Sequence, residues 1–191
     1  MYPWQAMLQK RSSIKDSWGL ACGAVFISKK WLITAAHCFR GRVGNRRIVY
    51  GFTKQSDPDK QIGEIKRFIK HPKFNRKFNP KTDVFLGEND IVLIELKAPV
   101  LFTKTSQLVA LSSSKTNIDL DTCNITGWGL TKSGDTADTL QVATVSVLSI
   151  EACRRKFENI ISIANSQICL FDEINFKTSC QGDSGSPLKE M

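Results

Sequence analysis

Ala24-Val25-Phe26-Ile27-Ser28-Lys29-Lys30-Trp31-Leu32-Ile33-Thr34 reads as two short apolar strands around a polar turn. β-Branched and aromatic residues on both sides of a three-residue polar break predict a β-hairpin. The pattern repeats outward from this stretch. Arg47-Ile48-Val49-Tyr50 ends at Gly51, and the apolar run Ile91-Val92-Leu93-Ile94-Glu95-Leu96 stops at Ala98-Pro99, as a buried strand would. Cys123 to Leu130 and Leu140 to Leu148 supply two further strands. Only Ile150 to Phe157 predicts a helix, with Glu151 early and Arg154, Arg155 and Lys156 late, the order that the helix dipole favours. Many short strands with Gly- and Pro-marked turns indicate an all-β barrel or sandwich. The polar stretch from Ser112 to Asn117 reads as a linker between two β units, and no repeat of fixed period is visible.

The 191 residues, 41% hydrophobic and 24% charged, suffice for one large or two small cores. No apolar run approaches the roughly 18 residues of a membrane-spanning helix, so no membrane is expected as a partner. The six cysteines are scattered without a Cys-x-x-Cys pair, and there are only two histidines. Disulfides in an oxidising, extracellular compartment are therefore expected, rather than a metal site. Met1-Tyr2-Pro3-Trp4-Gln5 lacks the pattern of a signal peptide, so the N-terminus is expected to be incomplete. The formal charge is +9, and residues 66–81 hold Lys66, Arg67, Lys70, Lys73, Arg76, Lys77 and Lys81 with no acidic residue. This segment is a candidate polyanion-binding surface; the plainer expectation is a solvated loop. Its cations are not interleaved with stacking aromatics, which argues against a nucleic-acid partner.

Gly182-Asp183-Ser184-Gly185 has the form of a nucleophilic serine in a glycine-lined turn. A serine hydroxyl needs a positioned base, usually histidine. His37, in Thr34-Ala35-Ala36-His37-Cys38, follows an apolar strand and has small neighbours, whereas His71 sits in the basic segment beside Pro72. His37 is the better base. Asp90, at the mouth of the Ile91–Leu96 run, is the candidate carboxylate to orient it, with Asp83 and Glu88 as alternatives. The N–H groups of Gly182 and Ser184 are the candidate oxyanion donors, because glycine frees the backbone to aim them.

Thr34-Ala35-Ala36-His37-Cys38, Asn89-Asp90-Ile91-Val92-Leu93-Ile94, Gly127-Trp128-Gly129 and Cys180-Gln181-Gly182-Asp183-Ser184-Gly185 run in the order His, Asp, Ser. Together they resemble the chymotrypsin-like serine peptidases, the trypsin family, from Pro3-Trp4-Gln5 nearly to the C-terminus. The resemblance implies two packed six-stranded antiparallel β-barrels, residues 1–111 and 112–191 of one peptidase domain, with one short helix. It implies a catalytic triad of His37, Asp90 and Ser184 acting through an acyl-enzyme, with no cofactor. It also implies protein or peptide substrates, protein inhibitors as further partners, and disulfides Cys22–Cys38 and Cys153–Cys169. Cys123 and Cys180 match family cysteines whose partners lie downstream of Met191. The sequon Asn124-Ile125-Thr126 falls in a strand and is discounted.

The chain also departs from the family pattern. No apolar segment precedes Pro3-Trp4-Gln5, so Asp183 is expected to lack the α-amino partner that family members supply. The chain stops seven residues after Ser184, so the second barrel is expected to be truncated and the activity impaired or lost. Glu190 stands where a family cysteine is expected, and Ser186 replaces the usual second glycine after the serine. Thr178, six residues before Ser184, occupies the position that sets preference at the floor of the substrate pocket. A neutral residue there points to chymotrypsin- or elastase-like cleavage rather than cleavage after Lys or Arg. The alternative function is a non-catalytic binding homologue, or a truncated isoform, on the same scaffold.

Overall fold

The computed structural model describes residues 2–190 except 13, 15, 40–42, 80–83, 113–121, 159, 161 and 173–176, and only the backbone of 77–79, 84–86 and 190. Among the described residues twelve strands carry the fold: β1 (Gln5–Arg11), β2 (Trp18–Phe26), β3 (Trp31–Thr34), β4 (Arg46–Tyr50), β5 (Gln61–Lys70), β6 (Asn75–Asn79), β7 (Val84–Glu88), β8 (Val92–Leu96), β9 (Thr122–Gly127), β10 (Gln141–Leu148), β11 (Cys169–Phe171) and β12 (Leu188–Glu190). One α-helix, α1 (Ile150–Phe157), and short 3₁₀ turns at Ala36–Cys38 and Val43–Asn45 complete it.

The hairpin at Ala24–Thr34 is formed by β2 and β3, with Phe26 opposite Leu32 and Val25 opposite Ile33. Ser28 makes its turn: its hydroxyl accepts the N–H groups of Lys30 at 3.1 Å and Trp31 at 3.0 Å. A short polar side chain in this role closes a tight turn without help from the ladder. β8, the predicted buried run, pairs with β3 on one side and β5 on the other. The order β1-β2-β3-β8-β5-β4 closes on itself as an antiparallel barrel, which leaves no free edge. Leu8, Ala24, Phe26, Leu32, Ile48, Ile94 and Leu96 fill its interior.

The basic segment is not a solvated loop throughout. Residues 66–70 end β5 and residues 75–79 form β6. A bulge between Ile65 and Arg67 turns Lys66 and Arg67 outward together. Both reach Glu95 of β8, Lys66 Nζ at 3.0 Å and Arg67 Nε at 2.6 Å, with Lys30 Nζ at 3.8 Å. Lys81 lies outside the described residues.

Beyond the barrel, β11-β10-β9-β12 form a four-stranded antiparallel sheet, and β6-β7 form a two-stranded ribbon. Among the described residues the second sheet is open, with β11 and β12 at its edges, in keeping with the incomplete second barrel expected from the sequence. Helix α1 begins at Ser149, whose side chain accepts the Ala152 N–H at 3.2 Å. The Cys153–Cys169 disulfide ties it to β11. Of the predicted linker, only Ser112 lies among the described residues.

Gly127-Trp128-Gly129 joins the sheet to the barrel. Trp128 is 1% exposed, stacks on Phe52 at 4.6 Å, and donates its indole N–H to the Thr53 carbonyl at 2.9 Å. A tryptophan whose ring is buried and whose single donor is satisfied makes a strong anchor. The sequon threonine, Thr126, is buried in β9. Its hydroxyl donates across the interface to Gln5 Oε1 at 3.0 Å.

Candidate active site

His37 sits in the 3₁₀ turn that leaves β3, where the Cys38 and Phe39 N–H groups donate to Ala35 and Ala36. Ala36 is fully buried and Cys38 is bonded to Cys22 of β2, so the turn is clamped from behind. Asp90 immediately precedes β8 and grips this turn twice. Its Oδ1 accepts the His37 backbone N–H at 2.8 Å and its Oδ2 meets His37 Nδ1 at 2.6 Å. When Oδ2 accepts a proton-bearing Nδ1, the imidazole presents Nε2 as an acceptor. Burial alone pushes the Asp90 carboxyl up. The hydrogen bonds from the His37 ring and backbone, the nearby imidazole charge and the Ala36 N–H outweigh it, so the net shift is downward.

His71 has a different role. Its backbone N–H donates to Ile91 at 3.0 Å and its Nδ1 accepts the Lys73 N–H at 3.2 Å, so it closes the turn after β5. Glu88 is exposed at the end of β7, and Asp83 lies outside the described residues.

Ser184 arrives from the other end of the chain. Its carbonyl accepts the Gly23 N–H of β2 at 2.9 Å and lies 4.0 Å from Cys38 Sγ, which is itself 3.8 Å from His37 Nε2. Gly182 and Gly185 have φ of +100° and +83°. The left-handed backbone bends the loop there, and a Cβ on Gly185 would collide with Thr34 and Gly23. Glycine is what lets the turn seat against the strands that carry His37. Among the described residues, the N–H groups of Gly182 and Ser184 donate to no backbone carbonyl.

The Asp183 carboxylate, expected to lack an α-amino partner, accepts two backbone N–H groups. Oδ1 accepts the Gly129 N–H at 2.8 Å and Oδ2 accepts the Cys180 N–H at 2.9 Å. Two backbone donors satisfy a half-buried carboxylate without a counter-ion. Thr178, exposed, borders an open cavity of about 580 Å³ that Ser184, Gly129 and Leu188 also line. Cys22, His37 and Cys38 lie within 4.8 Å of one another, but the two sulfurs are bonded together, which removes them as thiolate ligands for a metal. Among the contacts that sequence reading missed, Gln5 Nε2 donates to Ser186 Oγ at 2.8 Å. The only signal for it was a glutamine in a strongly apolar neighbourhood.

The sequence model of the Trypsin family matches residues 1–191. The chain belongs to the trypsin family. Atrial natriuretic peptide-converting enzymes of mouse and of human are each 33% identical to this trypsin-family chain over 192 residues. The match takes in 98% of this chain but 16% and 17% of those proteins, so the chain spans about a sixth of the curated relatives it matches. Among solved structures, mouse neuropsin, a serine protease expressed in the limbic system of the brain, aligns with a TM-score of 0.78 and 28% identity. That alignment covers 99% of this chain and 78% of neuropsin. The trypsin-family chain thus shares its fold with serine proteases along nearly its whole length.

Proposed function

We propose that this chain carries the peptide-hydrolysing site of an extracellular serine endopeptidase. His37 serves as the base, Asp90 orients it, and Ser184 is the nucleophile that forms an acyl-enzyme. The observation that carries this reading is the double grip of Asp90 on His37, at 2.8 Å and 2.6 Å, beside the turn that bears Ser184. In this arrangement Nε2 accepts the Ser184 proton as Oγ attacks the scissile carbonyl, then returns it to the leaving amine. Asp90 stabilises the imidazolium in between. The developing oxyanion is met by the N–H groups of Gly182 and Ser184, and removal of one such donor costs about 2.7–4 kcal/mol of the barrier. Thr178 contributes a neutral surface to the substrate side chain and favours apolar over Lys or Arg residues before the cleaved bond. In this reading residues 1–111 and 112–191 are the two β units of one peptidase domain, and its substrates and inhibitors are proteins or peptides.

The test is covalent labelling by a fluorophosphonate probe. The chain is expected to label at Ser184, and Ser184→Ala and His37→Ala are expected to abolish it. A folded chain that does not label would sink the reading and leave a non-catalytic binding homologue on the same scaffold.

A further inference from the structure

Ser186 lies two residues beyond Ser184 on the same tight turn, and its N–H donates to the Asp183 carbonyl at 3.0 Å. Its side chain points at β2: a Cβ built on Gly23 would collide with Ser186 Oγ. The hydroxyl is held there by Gln5 of β1, whose Nε2 donates to it at 2.8 Å across 181 residues of sequence. Gln5 is itself 3% exposed, and its Oε1 accepts the Thr126 hydroxyl of β9 at 3.0 Å. One buried amide therefore links the barrel, the second sheet and the Ser184 turn. The neighbouring backbone is joined at the same place, because the Gly23 N–H donates to the Ser184 carbonyl at 2.9 Å.

We infer that Gln5 and Ser186 form a positioning pair that presses the Ser184 turn onto β2 and so sets the approach of Ser184 Oγ to His37. Neither residue touches substrate, and the inference rests on reading Ser184 as the nucleophile. The physical reason is geometric. The turn is bent at two glycines of positive φ, so little in its own backbone resists a swing of the serine away from the imidazole. A partly buried hydrogen bond resists it, because breaking that bond leaves the Nε2 donor of Gln5, a residue only 3% exposed, without its partner. A displacement on the order of 1 Å at a reacting group is enough to cost about a hundredfold in rate. Ser186 occupies a place where the family resemblance leads one to expect glycine, so the contact is a feature of this chain.

The experiment compares Gln5→Met, Ser186→Gly and the double variant with the unaltered full chain. Methionine keeps the volume of Gln5 but cannot bond to Ser186, and Ser186→Gly removes the hydroxyl itself. Each single variant is expected to slow fluorophosphonate labelling at saturating probe by roughly tenfold, the equivalent of one hydrogen bond, with half-saturation unchanged. The double variant is expected to match Gln5→Met rather than fall a further tenfold, because both changes remove the Gln5–Ser186 contact and only Gln5→Met also removes the bond from Thr126. Hydrogen exchange reads the same event without chemistry. The Gly23 and Ser186 amides should exchange faster in each variant, while the β1–β2 amides from Gln9 to Arg11 exchange as before. Unchanged exchange at Gly23 and Ser186, or additive losses in the double variant, overturns the inference. An unaltered chain that fails to label while Gln5→Met still loosens Gly23 and Ser186 upholds the positioning contact and overturns the nucleophile reading instead.

Discussion

Gly129 and Asp183 are in contact at the closest approach their backbones allow: the Gly129 N–H donates to Asp183 Oδ1 at 2.8 Å, and a Cβ at Gly129 would collide with the carboxylate. The fit makes a sharp prediction. Gly129→Ala must push Asp183, and with it the Ser184 turn, out of place. Overpacking of this kind costs about 1–3 kcal/mol, visible as a lower urea midpoint, and labelling at Ser184 should fall with it. Gly134→Ala serves as the control: unlike Gly129 it has a positive φ, but a Cβ there meets nothing within 4 Å, so it should destabilise without reducing labelling of the folded fraction.

Asp90 fixes both the backbone and the ring of His37, so its charge and its shape can be separated. Asp90→Asn keeps the shape and still offers an oxygen to one donor, but the amide favours the wrong imidazole tautomer. Labelling of Ser184 is expected to drop by about 10⁴-fold, the cost of this replacement in a Ser-His-Asp triad. The fold should survive, because the Cys22–Cys38 bridge and Ala36 still hold the turn. A loss of less than tenfold with normal unfolding would remove Asp90 from the mechanism.

Local patterns carried the parts of this fold that are locally determined. The β2–β3 hairpin, the β8 run and α1 each show their own periodicity and their own end signals, and each lies within a residue or two of its predicted place apart from the early start of β2 at Trp18. β1 was not legible. Gln5 to Gln9 are all buried because Ala6 and Leu8 face the barrel core while Met7 packs with Val49, Phe52 and Trp128, so no alternation survives to be read. In the candidate site, Asp90 stood out by its position before a buried strand, but its second bond to the His37 backbone did not. The Gln5–Ser186 and Gly129–Asp183 contacts join distant segments and have no local signature. The two backbone donors that meet Asp183 were illegible for the same reason: backbone donors cannot be counted from side-chain letters.

Glu95 predicts an acid-sensitive barrel. Hydrogen bonds from Lys66 and Arg67 hold its carboxyl below the ordinary glutamate value, against an opposing effect of burial and with help from the two charges. A carboxyl held low in the folded state adds stability above its unfolded value of about 4.3, and that stability drains as pH falls through the folded value. Glu95→Gln should therefore flatten the decline in urea midpoint on the acid side while lowering the midpoint at neutral pH. An unchanged pH profile would show that the three cations gain nothing from this carboxylate.

The Cys22–Cys38 bridge closes a loop with a sequence separation of 16 around the β2–β3 hairpin. A loop of that size is worth about 3 kcal/mol through the entropy it removes from the unfolded chain. The double variant Cys22→Ala, Cys38→Ala should lose that much in urea unfolding. It should also lose labelling at Ser184 by more than its unfolded fraction explains, because the bridge clamps the turn that carries His37. Equal losses in the two measurements would confine the bridge to stability alone.

Cys123 and Cys180 are the two cysteines outside the disulfides, and they should react very differently. Cys123 is fully buried in β9 and burial pushes its thiol pKa up, so little thiolate is present and reagent cannot reach it. Cys180 is exposed at the base of the Ser184 turn. A thiol reagent applied to the native chain at pH 8 should therefore modify one cysteine quickly, identified as Cys180 by peptide mapping, and the second only in denaturant. Because the Cys180 N–H also holds Asp183 Oδ2 at 2.9 Å, a bulky adduct there should slow labelling of Ser184, whereas Cys180→Ala, which keeps the N–H, should not. Fast modification of both cysteines in the native state would mean that β9 and β12 part readily, and that the sheet carrying Trp128 is far looser than its packing on Phe52 implies.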